Sequence, residues 1–270
     1  MQNILVDKIR KQEIADNIAD ITNRIQSIPC KHSWQKQIRL VAVSKTKPAS
    51  DIAAAYELGH RHFGENVQEL VEKASILPSD IHWHFIGSIQ SNKCKALADV
   101  PNLWTIETID SSKKALTMNK ACQKLASPLR VFLQINTSGE ASCRNIKMRC
   151  LKSISGHDLL LTNQLVNLNL AKSGILPSNC VMTAKEILDE CDKLELIGLM
   201  CIGAPHNAKN DRNPDFDLLV ECKQQIEAAF GMSGLELSMG MSDDFESAIE
   251  YGSTNIRVGS SIFGSRSYTK

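Results

Sequence analysis

Short apolar runs recur along the chain, and helical patterns fill most of the intervals between them. Eight runs stand out, at 40–43, 62–64, 82–87, 103–107, 131–136, 196–202, 235–239 and 255–259. Each has the length of a short β-strand. Between them, Val67, Leu70, Val71 and Ala74 make one apolar helix face. Val181, Ala184, Leu188 and Cys191 make a second, and Phe216, Leu219, Val220 and Ile226 a third. Ahead of the first run, Ile14, Ile18, Ile21, Ile25 and Ile28 follow a 4-3-4-3 spacing. That spacing predicts an extra N-terminal helix packed on the outside of the domain and ended near Pro29.

Eight β runs separated by helices predict an α/β protein with a parallel sheet, and eight strands close a (β/α)8 TIM barrel. A doubly wound open sheet usually has fewer strands and a glycine-rich turn after the first. No GxGxxG follows Val43. One interval breaks the rhythm. About sixty residues separate the fifth and sixth runs, where a barrel needs far fewer.

The 270 residues fit one large barrel or two small domains. Hydrophobic residues make up 43% and charged residues 23%, as in an ordinary globular protein. The formal net charge is +1, with no like-charge run to suggest a nucleic-acid or anionic-membrane surface. With 5% aromatic residues a base-stacking platform is also disfavoured. A small-molecule partner is the better expectation. The nine cysteines are scattered and form no CxxC pair, which reads as reduced cytosolic thiols. The acid-bearing N-terminal stretch does not read as a signal peptide, and no apolar stretch reaches membrane-spanning length.

In a TIM barrel the active face is built by the loops after each strand's C-terminal end. Lys45 lies just past the first run, where its stem starts inside the barrel mouth. Desolvation there lowers a lysine pKa and frees the amine for Schiff-base formation. The competing reading is a solvated surface lysine. Lys47, before Pro48, is expected in a turn outside the strand. After runs seven and eight, residues 238–242 and 259–261 offer hydroxyls and close-approach glycines. Phosphate sites in such barrels often use those two loops. Closure sets strand eight beside strand one, so Lys45 borders this cradle. A ligand with an aldehyde near one end and a phosphate near the other fits across it, and pyridoxal phosphate is such a ligand. Arg257, two residues before Gly259, should point to the same side and could meet the pyridine nitrogen. An always-charged donor there keeps that nitrogen unprotonated and weakens the ring as an electron sink. His82 and His84 alternate on a strand, but neither His60 nor any other residue offers a third ligand at useful spacing, so no metal site is expected.

At these residues the chain resembles the YggS/PROSC family of pyridoxal-phosphate homeostasis proteins. The matching runs are LVAVSKTKP (40–48), FGENVQEL (63–70), WHFIGSIQSNK (83–93), QINTSGE (134–140), LIGLMCIG (196–203), ELSMGMSDDF (236–245) and GSTNIRVGSSIFG (252–264). The resemblance implies a fold-type-III barrel, like the N-terminal domain of alanine racemase, standing as a single domain over 1–270. It implies pyridoxal 5′-phosphate on Lys45, phosphate contacts from Ser242, Gly259 and Ser260, ring contacts from Met239 and Arg257, and a nearby Asn66. It further implies a carrier or buffer without robust catalysis that influences vitamin B6 balance. Pyridoxal-phosphate-dependent apoenzymes are the expected recipients, the state a monomer or weak dimer, and the place the cytoplasm, with mitochondrial association also compatible.

The chain departs from the family pattern in one place. Ser138-Gly139-Glu140-Ala141-Ser142 is followed by an extra segment, 143–171, before the pattern resumes at Lys172-Ser173-Gly174. A lineage-specific insertion in a surface loop is one explanation. Translated non-coding sequence is the other, favoured by apolar content without a partner strand or clear helix face. Either way the segment follows strand five and falls on the cofactor face.

The main alternative is a racemase-like enzyme. Racemisation needs a base on each face of the substrate α-carbon. In alanine racemases the second comes from an additional β domain across a dimer, and a chain ending at Lys270 leaves no room for one. A Schiff-base aldolase is a third reading, opposed by the lysine's place on strand one.

Overall fold

The computed structural model describes residues 4–139, 173–208 and 212–265. The segment 143–171, expected to be an insertion, lies outside the described residues. Eight parallel strands close into a barrel in chain order. They are β1 (Arg39–Val43), β2 (His62–Glu65), β3 (His82–Phe85), β4 (Leu103–Ile109), β5 (Leu129–Gln134), β6 (Leu194–Met200), β7 (Glu236–Ser238) and β8 (Asn255–Val258). Each expected run carries a strand, so the predicted (β/α)8 fold is the observed one. Closure is made by β1 and β8, paired from Arg39↔Asn255 to Ala42↔Val258.

Around the barrel run α2 (Ala49–Glu57), α3 (Val67–Ile76), α4 (Cys94–Ala98), α5 (Ser112–Ala121), α6 (Cys180–Glu190), α7 (Pro214–Phe230), α8 (Phe245–Glu250) and α9 (Ser260–Phe263). The extra helix α1 (Lys8–Ser27) starts where Asp7 accepts a hydrogen bond from the Arg10 backbone N–H. It buries Ile14 and Ile21 completely. Arg10 then reaches Asp51 of α2 at 2.7 Å and the Phe263 carbonyl of α9 at 2.8 Å. Asn17 donates to the Ile262 carbonyl at 2.9 Å. One helix therefore straps both sides of the β1–β8 seam.

Outward-facing strand residues such as Phe63, Trp83, Ile106, Leu237 and Ile256 pack against the helices as one apolar core. Two helix faces differ from expectation. On α3 Leu70 is buried while Val71 is 38% exposed. On α6 the buried residues are Cys180, Thr183, Ala184 and Ile187, and Leu188 is 43% exposed. Both helices carry apolar residues on adjacent positions, so the spacing admits more than one face and packing chooses.

Barrel interiors are usually filled by branched apolar side chains. Here Arg39, His62, His84, Glu107, Ser238, Asn255 and Arg257 bond to one another across strands. The interior is a polar stack.

Candidate functional site

Past the end of β1 the chain makes a tight turn at Ser44-Lys45-Thr46-Lys47, with the Lys47 N–H donating to the Ser44 carbonyl at 3.0 Å. Thr46 has φ 65°, the one positive-φ non-glycine among the described residues. A β-branched residue there costs about 1–3 kcal/mol and persists only where neighbours over-determine it. The neighbours come from β2 and α3. Ser44 Oγ donates to Glu65 at 2.8 Å. Lys73 Nζ donates to the Ser44 carbonyl at 3.0 Å, to Glu65 at 2.5 Å and to Glu69 at 2.8 Å. The Thr46 N–H donates to Glu69 at 2.8 Å. Burial pushes the Glu65 carboxyl up even against Lys73. For Glu69 burial acts the same way, but the hydrogen bonds from Lys73, Thr46 and Asn66 outweigh it and hold its carboxyl below the usual range.

This clamp aims the half-buried Lys45 into the barrel mouth, where Nζ donates to the Ile86 carbonyl at 3.1 Å. Lys45 faces a cavity of about 630 Å³, within the range of small-ligand sites. Val43, Ile86, Met200, Ile202 and Met241 supply apolar wall. Lys45, Lys47 and Arg257 supply positive charge against Asp243 alone, so the cavity suits an anion. Ser242, Gly259 and Ser260 form its polar end, and the Gly259 N–H donates to Ser242 Oγ at 3.3 Å. Gly259 packs closely on β1: a Cβ there would lie 3.3 Å from both the Cβ and the carbonyl oxygen of Val43, a tight contact. Arg257 is buried, with Nη1 donating to Ser238 Oγ at 2.5 Å and Nη2 to the Cys201 carbonyl at 2.8 Å.

Of the seven expected site residues, Lys45, Ser242, Arg257, Gly259 and Ser260 come together on this cavity. Asn66 and Met239 are not among its lining residues. Asn66 is the N-cap of α3: its side chain accepts from the Glu69 N–H at 3.3 Å and donates to Glu69 Oε1 at 2.8 Å. Met239 is fully buried in the apolar core, and Met241 meets the cavity instead. Lys47, expected outside, also lines the cavity, with Nζ donating to the Ser265 carbonyl at 2.6 Å. No metal-holding cluster occurs among the described residues.

The residues missed by sequence reasoning are those behind the wall. Glu65, Glu69 and Lys73 hold the Lys45 turn, and Glu107, Ser238 and Asn255 hold Arg257. For the first group a signal existed in the i, i+4 spacing of Glu69 and Lys73 on the helix that follows Glu65 at the end of β2. The donor set fits a flat anion with apolar faces and a carbonyl within reach of the Lys45 amine: amine on one wall, hydroxyls and backbone N–H at the polar end, guanidinium on the floor.

No protein-family model matches the chain. Among curated proteins it is 43% identical over 233 residues to the pyridoxal phosphate homeostasis protein of Schizosaccharomyces pombe, covering 86% of this chain and 85% of that one. The protein of the same name from Bos taurus is 45% identical over 245 residues, covering 87% and 79%. Among solved structures, an unknown protein from Bifidobacterium adolescentis aligns with a TM-score of 0.75 and 31% identity, over 97% of this chain and 98% of that one. PipY of Synechococcus elongatus with pyridoxal phosphate bound aligns at 0.64 and 27%, over 93% and 100%. Alanine racemase of Clostridium difficile aligns at 0.65 with 13% identity, over 93% of this chain and 57% of that one. That last likeness shows the fold alone.

Proposed function

The chain belongs to the pyridoxal phosphate homeostasis protein family, and we propose that it holds pyridoxal 5′-phosphate as a Schiff base on Lys45 for intracellular vitamin B6 homeostasis. One observation carries the reading: Lys45, Arg257 and the Ser242–Gly259–Ser260 polar end share one cavity. The amine supplies the covalent tether. Ser242 and Ser260, with the Gly259 backbone, receive the phosphate. Val43, Ile86 and Met241 would give the ring apolar contact, and Arg257 would be the donor for its nitrogen. Asn66 serves from behind, by orienting Glu69 beneath the Lys45 turn. When bound, the cofactor supplies an electron sink to any amine joined to it.

We propose storage and delivery to apoenzymes as the role, not turnover. The support is Arg257, which stays charged and so opposes protonation of the ring nitrogen. We place this action in the cytosol: the seven described cysteines are all free thiols, as a reducing compartment keeps them.

Lys45→Ala tests the assignment. The purified protein is expected to be yellow, and the variant to lose its visible absorbance. Retained absorbance, with the modification mapped to Lys47, would overturn it. Turnover of L- or D-alanine is expected to stay at the level of a cofactor-only control. Turnover abolished by Lys45→Ala would favour the racemase reading.

A further inference from the structure

Glu107 lies inside the barrel, fully buried, and is not part of the cavity wall. Its Oε2 accepts from Ser238 Oγ at 2.6 Å and stands 3.8 Å from Arg257 Nη1. Its Oε1 accepts from Asn255 Nδ2 at 3.1 Å and lies 2.6 Å from His84 Nδ1. The Asn255 amide has one orientation, because its Oδ1 accepts from Arg39 at 3.2 Å. Burial alone would raise the Glu107 pKa; the contacts with His84, Arg257 and Ser238 outweigh it and bring it down to about 2. Asn255 with its fixed amide, Ser238, His84 and Arg257 all converge on its two oxygens, the surroundings of an ionised carboxylate that only accepts.

That single fact fixes the direction of every bond around it. Ser238 must give its hydroxyl proton to Glu107, which leaves its lone pairs for Arg257 at 2.5 Å and Asn255 at 2.9 Å. His84 must carry its proton on Nδ1, which leaves Nε2 as an acceptor. His62 Nδ1 is 2.9 Å from that nitrogen and must donate to it. His82 Nδ1 is 3.3 Å from His62 Nε2 and donates in turn. Burial lowers the pKa of all three histidines and so favours the uncharged rings, with Glu107 pulling the other way at His84. Trp104 stacks on His84 with ring centroids 4.8 Å apart and an interplanar angle of 28°. The column runs from the cavity floor to the opposite mouth, where His62 and His82 begin β2 and β3.

We propose that Glu107 is a positioning residue for the cofactor cavity: through Ser238 it aims the Arg257 guanidinium, and through His84 it orders a one-directional histidine column across the barrel. The inference rests on the cavity reading above and assigns it a device buried behind its wall.

Nitrogen NMR of histidine-labelled wild-type protein reads the column directly. Nδ1–H tautomers are expected at His84, His62 and His82. An Nε2–H tautomer or a charged imidazolium at His84 would overturn the proposal, and this measurement needs no variant to fold. Glu107→Gln keeps the shape and removes the charge, and its amide turns a donor toward either His84 or Ser238. Mixed histidine tautomers, a shifted visible absorbance maximum and a roughly tenfold faster loss of pyridoxal phosphate on dialysis are expected. Unchanged tautomers with unchanged cofactor retention would defeat the idea. Lys45→Ala separates the two readings. It is expected to abolish the visible band and leave the histidine signals in place. A band that survives it sinks the cofactor assignment without touching the histidine column.

Discussion

Lys73 Nζ donates to the carbonyl oxygen of Ser44 at 3.0 Å, so the residue before Lys45 is held from a neighbouring helix as well as from its own strand. The same ammonium pairs with Glu65, which is fully buried, and with Glu69 on its own helix. A half-buried lysine at the mouth thus depends on a buried lysine behind it.

Lys73→Met tests that dependence. Removing one partner of a buried ion pair leaves the other uncompensated and costs about 3–5 kcal/mol. A loss of that order in urea unfolding is expected, together with slower uptake of pyridoxal phosphate. A loss under roughly 1 kcal/mol, the level of an exposed pair, would contradict the clamp.

Asn66→Ala removes the α3 N-cap and one donor to Glu69. About 1 kcal/mol of stability should go. The visible band of the loaded protein should remain, since Asn66 does not line the cavity. Loss of the band at unchanged stability would restore Asn66 as a direct contact.

Ser242→Ala deletes the hydroxyl that accepts from the Gly259 N–H. If this hydroxyl meets the phosphate, equilibrium dialysis should show roughly tenfold weaker binding of pyridoxal phosphate, the scale of one hydrogen bond to a charged group. Pyridoxal without phosphate should bind the variant and the parent alike. An equal loss for both ligands would place Ser242 elsewhere.

Stability should fall as pH drops below 6.5. His60 and His62 have pKa values lowered from 6.5 to about 4 and about 2, burial being the first cause at each. The unfolded chain takes up protons near pH 6.5 that the folded state refuses, so stability is full above 6.5 and is lost as pH falls toward the folded values. For His60 alone the decline between pH 6.5 and 4 should be about 2–3 kcal/mol in urea titrations, and the half-buried His62 adds to it. His60→Gln should flatten that slope, and an unchanged slope in the variant would remove His60 from the account.

The barrel was legible because each strand has its own local run, and Lys45, Ser242, Arg257, Gly259 and Ser260 because they sit at or beside strand C-terminal ends. Helix faces were less so: Val71 and Leu188 fit the expected period but point outward, since burial is decided by what packs across from them. Polar residues inside the strands were least legible. Glu107 meets His84 from 23 positions away, Arg39 from across the barrel through Asn255, and Ser238 from 131 positions away. Alternation of polar and apolar positions reads the same whether the polar side faces solvent or a hydrogen-bonded interior. Asn66 had the opposite problem. Its place in a matching motif put it near the cofactor, and only the bond from the Glu69 N–H shows that it caps α3.

The pairing of β1 with β8 has a consequence for the newborn chain. A ribosome releases Lys45 long before Arg257, Gly259 and Ser260. Seven emerged strands carry the amine without the anion's end of the site, and the strap from α1 to α9 has nothing to fasten. The cavity that joins Lys45 to Arg257, Gly259 and Ser260 therefore exists only once β8 has closed the barrel.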